Sequence, residues 1–313
     1  MKLSIIIPAY NEEGNIDLIY KNIKNYFEDI SYEIIFINDG SIDATDKILE
    51  SVYKKDRRHV KVINFSRNFG KDAAIYAGLK NASGEYTSII DADMEQNPKY
   101  LLDMLTFLDK NKDYDQVAMV IRKRKSGNIF KRIGATVFYK LINKLGDIKF
   151  EENASDFRMF RCNVRDAILS LPEKNRFSKG IFNWIGFNTK VMEYEVGTRN
   201  SGISKFNLKT SFKYACEGII GYSVKPLKIA TATGCFTSLS GFVYLIYVII
   251  KTIILGKDTP GFATIVCLIL FIGGIQLICI GILGEYLSKT FIETKNRPIY
   301  VEKSKLGFDD EIL

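Results

Sequence analysis

The chain has 313 residues, 47% of them hydrophobic, and its 44 lysines and arginines against 36 acids leave a formal charge of +8 at neutral pH. That length allows one large domain or two smaller ones, and the charge points to an anionic partner: nucleotide, nucleic acid or lipid headgroup. The single histidine, His59, lies in the charged turn KKDRRHVK, and the five cysteines have no paired spacing, which argues against histidine catalysis, a disulfide framework and a zinc site.

The first strand is the apolar run KLSIIIPAY, closed by Pro8, after which Asn11, Glu13 and Asn15 read as a helix start. YEIIFINDGS repeats the pattern: strand, acid-glycine turn, then a helix from about Asp43 to Lys55. VKVINFSRNFGK gives a third strand followed by a helix through DAAIYAGLKNA, and EYTSIIDAD gives a fourth. Strands alternating with helices, and apolar throughout, predict an α/β fold with a mostly parallel sheet covered on both faces. Ligands of such sheets bind at the carboxyl ends of the strands, and there Tyr10, Asn11, Glu12, Asp39, Arg67, Lys71, Asp91 and Asp93 collect. Period-two alternation would set Asp91 and Asp93 on one strand face about 7 Å apart. Two like charges so close repel unless something positive sits between them. A hard divalent cation such as Mg2+, bridging both carboxylates to a diphosphate, meets that need. No G-x-G-x-x-G follows the first strand and no G-x-x-x-x-G-K-[ST] occurs, so dehydrogenase and P-loop readings lose their main support.

The far end of the chain has a different composition. Residues 229–250 and 262–284 carry no charge, and each run is about 33 Å long as a helix, enough to cross a bilayer. The N-terminal apolar core is too short for a signal peptide. The alternative to two spans is a pair of helices buried in a globular core. Lys251 and Lys257 in the connecting loop are outnumbered by lysines and arginines on both flanks, which predicts a multi-pass protein of the cell membrane with both termini cytoplasmic. LKTSFKYACEGIIGYSVKP, just before the first span, has the spacing of an amphipathic helix, lying in the headgroup layer or packed on the domain. The expected division is a soluble domain over 1–206, a juxtamembrane helix over 207–228, the hairpin over 229–287 and a cytoplasmic tail over 288–313.

SIIIPAYNEEGNI, INDGSIDAT, NFSRNFGKDAAIYAGLKNASGEY and DADMEQNP, in that order, resemble the family-two glycosyltransferases of GT-A fold. Within them the chain resembles the polyprenyl-phosphate sugar synthases, relatives of dolichol-phosphate mannose synthase and the bactoprenol glucosyltransferases. DFRMFRCNV, RFSKGIFNWIGF, the segment from GISKF to LKI and the closing apolar pair extend the resemblance over almost the whole chain. The resemblance implies that Pro8, Tyr10, Glu12 and Asp39 hold the base and ribose of a nucleotide sugar, with Lys71 and Asp91 in the same donor-binding set. It implies that Asp91 and Asp93 hold Mg2+ or Mn2+, with Glu95 a candidate third ligand. The family often has Gln at the position of Glu95 and Asp at that of Gln96, so this chain departs there.

A lipid phosphate acceptor is already ionised near neutral pH and needs no strong base. Asp156 in ASDFR is then a candidate for orienting or assisting the acceptor; a salt bridge to Arg158 or Arg161 is its alternative role. Arg122, Arg199 and Lys205 fall in family-like segments and are candidates for contact with the acceptor phosphate. The other basic residues of IRKRKSGNIFKR read as solvated, and no nucleic-acid motif accompanies them. The implied reaction is an inverting transfer of one sugar from a nucleotide diphosphate to a polyprenyl (undecaprenyl) phosphate at the cytoplasmic leaflet, for cell-envelope glycosylation. UDP-glucose is the first expectation for the donor and N-acetylglucosamine the next sugar. Membrane lipids are the expected surroundings and a homo-oligomer is left open. Competing readings are a processive polysaccharide synthase, whose Q-x-x-R-W segment is missing, and a non-catalytic adaptor, which would be expected to lose one of the paired aspartates.

Overall fold

Four apolar runs form the middle of the structure, a computed structural model that describes residues 1–122, 154–197, 220–221, 223–255 and 261–308. β1 (Leu3–Ala9), β2 (Tyr32–Asn38), β3 (Val60–Phe65) and β4 (Tyr86–Ile89) lie parallel in the order β4-β1-β2-β3. Both faces of these strands are covered, which is why they read as unbroken apolar runs. Ile5, Ile7, Ile34 and Phe36 enter one core with α1 (Ile16–Tyr26), α2 (Thr45–Lys55) and α4 (Lys99–Lys110). Ile6, Ile35 and Ile37 enter the other with α3 (Lys71–Asn81), α5 (Cys162–Ser170) and α6 (Ser178–Trp184).

The sheet grows at both edges by antiparallel additions. β6 (Ala154–Arg161) pairs antiparallel with β4 and with β5 (Gln116–Ile121), and β7 (Thr189–Tyr194) runs parallel to β5. At the opposite edge β8 (Glu302–Leu306) pairs antiparallel with β3, giving the order β7-β5-β6-β4-β1-β2-β3-β8. The carboxyl ends of β1 to β5 and of β7 therefore share one edge. Pro8 shows how that edge is kept open. Ile6 accepts a bond from the Ile90 N–H, so Pro8, two residues on, faces the β4 side just where β4 has ended. Its missing N–H costs no ladder bond there.

The expected helix start at Asn11 is displaced: α1 begins at Ile16, and Asn11 adopts a left-handed φ of 57°. Its side-chain oxygen accepts the Ile42 N–H and its own N–H donates to Ser41, so it ties the loop after β1 to the loop after β2.

Beyond the sheet domain, α7 (Lys225–Leu255) and α8 (Phe262–Thr294) are both long and apolar enough to cross a membrane. Neither is buried in the protein, and Phe236, Ile253, Leu270 and Leu277 stand exposed along them, unlike the side chains of core helices. α7 takes in Lys225 to Lys228, placed by sequence in the juxtamembrane helix; most of the remaining 207–228 segment lies outside the described residues. α8 overruns the expected span by ten residues to Thr294, because Glu285, Lys289 and Glu293, four apart, give a polar stripe that lets the helix leave the apolar layer intact. The segment expected as a tail contributes β8, the edge strand beside β3.

One buried charge ties four chain segments together on the side away from the open edge. Glu33 of β2, its side chain 1% exposed, pairs with Lys61 at 2.8 Å and accepts bonds from Ser4 Oγ at 2.6 Å and from the Ser83 N–H and Oγ at 2.8 Å each. Burial opposes ionisation, yet these donors hold the carboxyl below its usual range. A lowered folded value means stability that is present above the unfolded carboxyl pKa, about 4.3, and lost as pH falls through the folded one. Glu33→Ala should cost about 2 to 3 kcal/mol near pH 7. Thermal unfolding of the detergent-solubilised protein should show that deficit shrinking below about pH 4, and a deficit independent of pH would contradict the ionised network.

Candidate active site

The strand ends of β1 to β4 carry four loops that bond to one another. After β1, the Glu12 N–H donates to Thr45 Oγ1 and Glu12 accepts from Asn15 Nδ2. After β2, Gly40 sits at φ 66°, where a Cβ would lie 2.3 Å from the Arg67 carbonyl carbon, so only glycine lets the two loops touch. Asp39, 4% exposed, accepts the N–H groups of Phe69 at 2.6 Å and Gly70 at 3.0 Å. Burial pushes its carboxyl up, and the two N–H groups work against that. Asp39 therefore fixes the start of α3, whose first residue is Lys71.

Lys71 carries the central contact of the site. Its Nζ lies 2.6 Å from Asp91 Oδ1 and 2.9 Å from Asp156 Oδ2. The β4–β6 ladder ends at the Ile89–Arg158 pair, and just beyond it Lys71 draws Asp91, past the end of β4, and Asp156 of β6 to one ammonium. Two like charges so close repel; the ammonium between them removes the conflict. Burial lowers the affinity of Lys71 for its proton, but Asp156 and Asp91 outweigh it and hold the lysine well above its usual pKa. Burial likewise opposes ionisation of Asp156, and the Lys71 charge keeps its carboxyl below the usual range. Of the two alternative partners, Arg161 lies on the other face of β6 and bonds to Tyr86 and to the carbonyls of Leu108 and Tyr114. Arg158 stacks over Phe182, 3.9 Å from its ring centre, and its charge reaches Asp156 only as a secondary influence.

The strand-face argument for Asp91 and Asp93 does not hold. β4 ends at Ile89, and residues 91–96 form a turn in which Met94 takes φ 64° and Asp93 Oδ1 accepts the Glu95 N–H at 3.1 Å. An aspartate that bonds its own backbone two residues on favours a turn over a strand. Gln96, 3% exposed, grips Asp91 from both ends: Oε1 accepts the Asp91 N–H at 2.9 Å, and Nε2 donates to Asp91 Oδ2 at 3.0 Å and to Ser155 Oγ at 3.2 Å. Sequence reading missed Gln96 and Ser155 as site residues. The signal was the amide where the family often has an acid: an amide can donate to a carboxylate that another carboxylate would repel.

Asp91, Lys71 and Asp156 are thus brought together, Asp93 and Glu95 share the adjoining turn, and Pro8, Tyr10, Glu12 and Asp39 line the neighbouring strand ends. Arg122 follows β5 on the same sheet edge, exposed, with Glu195 at 3.0 Å and Glu193 at 3.9 Å. Arg199 and Lys205 lie outside the described residues. Among the described residues no three acidic, histidine or cysteine side chains converge as a metal cage. The half-exposed oxygens of Asp91 and Asp93 nevertheless fit Mg2+ or Mn2+, since Mg2+ commonly takes one or two carboxylates and completes its shell with phosphate and water.

Residues 4–169 match glycosyl transferase family 2. The chain belongs to that family. It is a glycosyltransferase, and its residues 225–290 match the GtrB C-terminal hairpin. The SfII prophage-derived bactoprenol glucosyl transferase of Shigella flexneri is 41% identical over 308 residues, 97% of this chain and 98% of that protein. The prophage bactoprenol glucosyl transferase homolog of Escherichia coli K12 is 40% identical over 97% of this chain and 99% of its own. Among solved structures, glucosyl-3-phosphoglycerate synthase of Mycobacterium tuberculosis with Mn2+, uridine-diphosphate-glucose and phosphoglyceric acid superposes with a TM-score of 0.50. That match has 17% identity over 70% of this chain and 77% of the other, and is one of fold.

The transferase should depend on the amide that aims Asp91. Removing an outer partner of a ligand side chain typically costs about 10 to 100-fold in activity or metal affinity. Gln96→Ala should show a loss of that size in turnover at saturating substrates, with the far-ultraviolet circular dichroism of the wild type; full turnover would separate Gln96 from the chemistry.

Proposed function

We propose that the enzyme transfers a single sugar, glucose from UDP-glucose in the first instance, to a polyprenyl phosphate at the cytoplasmic face of a membrane, with inversion at the anomeric carbon. The observation that carries the reading is the Asp91, Lys71 and Asp156 cluster on an open sheet edge in a chain that also contributes two membrane-length helices. The names of the relatives, bactoprenol glucosyl transferases at about two-fifths identity along the whole chain, support the same acceptor class.

In this mechanism Tyr10, Glu12 and Asp39 form the donor end of the site, where Pro8 leaves the strand edge free for a base and ribose. Asp91 and Asp93 would hold Mg2+ or Mn2+ against the diphosphate, with Glu95 on the same turn as a further oxygen donor. A divalent cation there supplies charge stabilisation to the departing nucleoside diphosphate. Lys71 keeps Asp156 ionised and holds Asp91 and Asp156 together. Asp156, held as a carboxylate, serves to orient the acceptor and Lys71; a phosphate monoester is itself the nucleophile and needs little help in losing a proton. Arg122, Arg199 and Lys205 are the proposed counter-charges for that phosphate. Arg122 would exchange its glutamate partners for it, a plausible trade for an exposed ion pair worth about 1 kcal/mol or less.

Asp93→Asn should leave the fold intact and reduce turnover about 10² to 10³-fold, the usual cost of losing a transition-state charge stabiliser. Membranes containing the enzyme, given undecaprenyl phosphate and a panel of nucleotide sugars with and without chelator, provide the assay. Mass spectrometry of the lipid should find one hexose per polyprenyl phosphate; longer chains would indicate a processive synthase, and an unmodified lipid with every donor would favour the adaptor reading.

Topology offers a separate check. β8 lies in the same sheet as the N-terminal strands, which supports a catalytic domain and C-terminal segment on one side of the membrane, and the flanking basic residues support the cytoplasmic side. In intact cells, a cysteine at Asp258 should react with an impermeant thiol reagent while one at Lys303 stays protected. The reverse pattern would invert the orientation.

A further inference from the structure

The end of α8 does not simply stop. Its final turn is followed by Pro298 and Tyr300, and Tyr300 lands on the strand that feeds the site. Its ring stacks on Phe65, the last residue of β3, with centroids 4.8 Å apart and planes 19° from parallel. Phe65 meets Phe69 edge-on at 5.8 Å, and the Ser66 N–H donates to the Val301 carbonyl at 3.0 Å. Phe69 and Gly70 are the residues whose N–H groups hold Asp39, and Lys71 comes next.

A second path closes a ring back to the same helix. Tyr300 also touches Tyr76 of α3 at 6.3 Å, and the guanidinium of Arg176 lies over the Tyr76 ring at 4.6 Å. Arg176 donates to the carbonyls of Ile168 and Leu171, which shapes the loop before α6. That loop presents the N–H groups of Lys174 and Asn175 to the Glu293 carboxylate of α8, at 2.9 to 3.0 Å. The end of the helix and the chain just after it thus hold the domain at two points: Glu293 on the loop before α6, and Tyr300 on Phe65 and Tyr76. β8 itself is mostly exposed, so its place in the sheet adds little core. The packing comes from Ile299, Tyr300 and Phe308, which lie partly buried against the core that holds Ile6 and Ile35.

We infer that Tyr300 is a positioning residue for the donor half of the site: through Phe65 and Phe69 it holds the 66–70 loop, and so sets Asp39 and Lys71 from the membrane hairpin. The consequence for turnover rests on the proposed donor site; the consequence for the loop does not. Tyr300→Leu keeps an apolar side chain but removes the stack, whereas Tyr300→Phe keeps the ring.

The test is hydrogen exchange on the full-length protein in detergent, without any substrate, followed by donor kinetics. In Tyr300→Leu the Phe69 and Gly70 amides should exchange about tenfold faster, about 1.4 kcal/mol of lost protection, while β1 and β2 peptides stay as in the wild type. The donor KM should rise by a similar factor with kcat less affected, and Tyr300→Phe should restore both. Unchanged exchange in the 66–70 loop, or a uniform rise across β1 to β4, would overturn the inference. Should Tyr300→Leu fail to fold, Glu293→Gln at the other end of the ring is expected to loosen the 172–177 and 66–70 loops together, and protection of the latter would overturn it equally. Wild-type protein that binds no nucleotide sugar would defeat the proposed function and leave the exchange result to decide this one.

Discussion

An ammonium held between two carboxylates is the constraint around which the catalytic edge is arranged. Asp156 stands in β6, and Asp91 lies just past the end of β4, the neighbouring strand, where Gln96 holds it. Lys71 meets both of them there. It arrives as the first residue of α3, at the end of a loop whose backbone is bonded to Asp39. Asp156 is the better buried partner, its side chain 13% exposed against 28% for Asp91. The arrangement is asymmetric: Asp156 is the more buried anchor of the lysine, and Asp91 is the carboxylate more open to solvent.

That asymmetry bears on how two anions could meet in one place. In the proposed reaction a nucleotide diphosphate and a lipid phosphate would repel each other, and the strand ends add further negative charge from Glu12, Asp39, Asp93 and Glu95. Positive charge must then come with the donor or from the periphery. The oxygen donors of the 91–95 turn suit a cation that arrives with the diphosphate. The exposed pairing of Arg122 with Glu193 and Glu195 is a reserve of positive charge on the same sheet edge, held weakly enough to be released.

The parts legible in sequence are those whose signal is local. The central strands announce themselves as apolar runs, and α2 and α3 follow acid or glycine turns close to where the pattern put them. The identity of the acid pair was also legible, but its geometry was not, because a period-two rule applies only while the strand lasts and β4 ends at Ile89. Partners set by long-range pairing escaped altogether. The alternation in SDFRMFR does not reveal that Asp156 will face Asp91, and nothing near Arg122 points to acids some 70 residues away. EKSKL has a single apolar residue, Leu306, and no alternation to announce a strand; it is a strand because β3 offers it an edge, and Asn64, itself bonded to Asn38, donates to Ser304 across the new pair.

A two-helix hairpin joined to the sheet by a flexible linker would leave the sheet domain free to tilt against it. Here α8 continues as one helix through the apolar run and beyond it, with Tyr286 bonded to the Ser223 carbonyl near the start of α7 and Glu293 bonded to the loop before α6. A helix of 33 residues is about 50 Å long, some 20 Å more than the hydrocarbon layer requires. The surplus length carries Glu285, Lys289 and Glu293, and the chain that follows it returns into the sheet beside β3. Hairpin and sheet are thus joined by a continuous helix, a short connection and a paired strand rather than by a long linker. With two helices long and apolar enough to cross a membrane, that join would carry the orientation of the helices to the strand ends that hold the carboxylates.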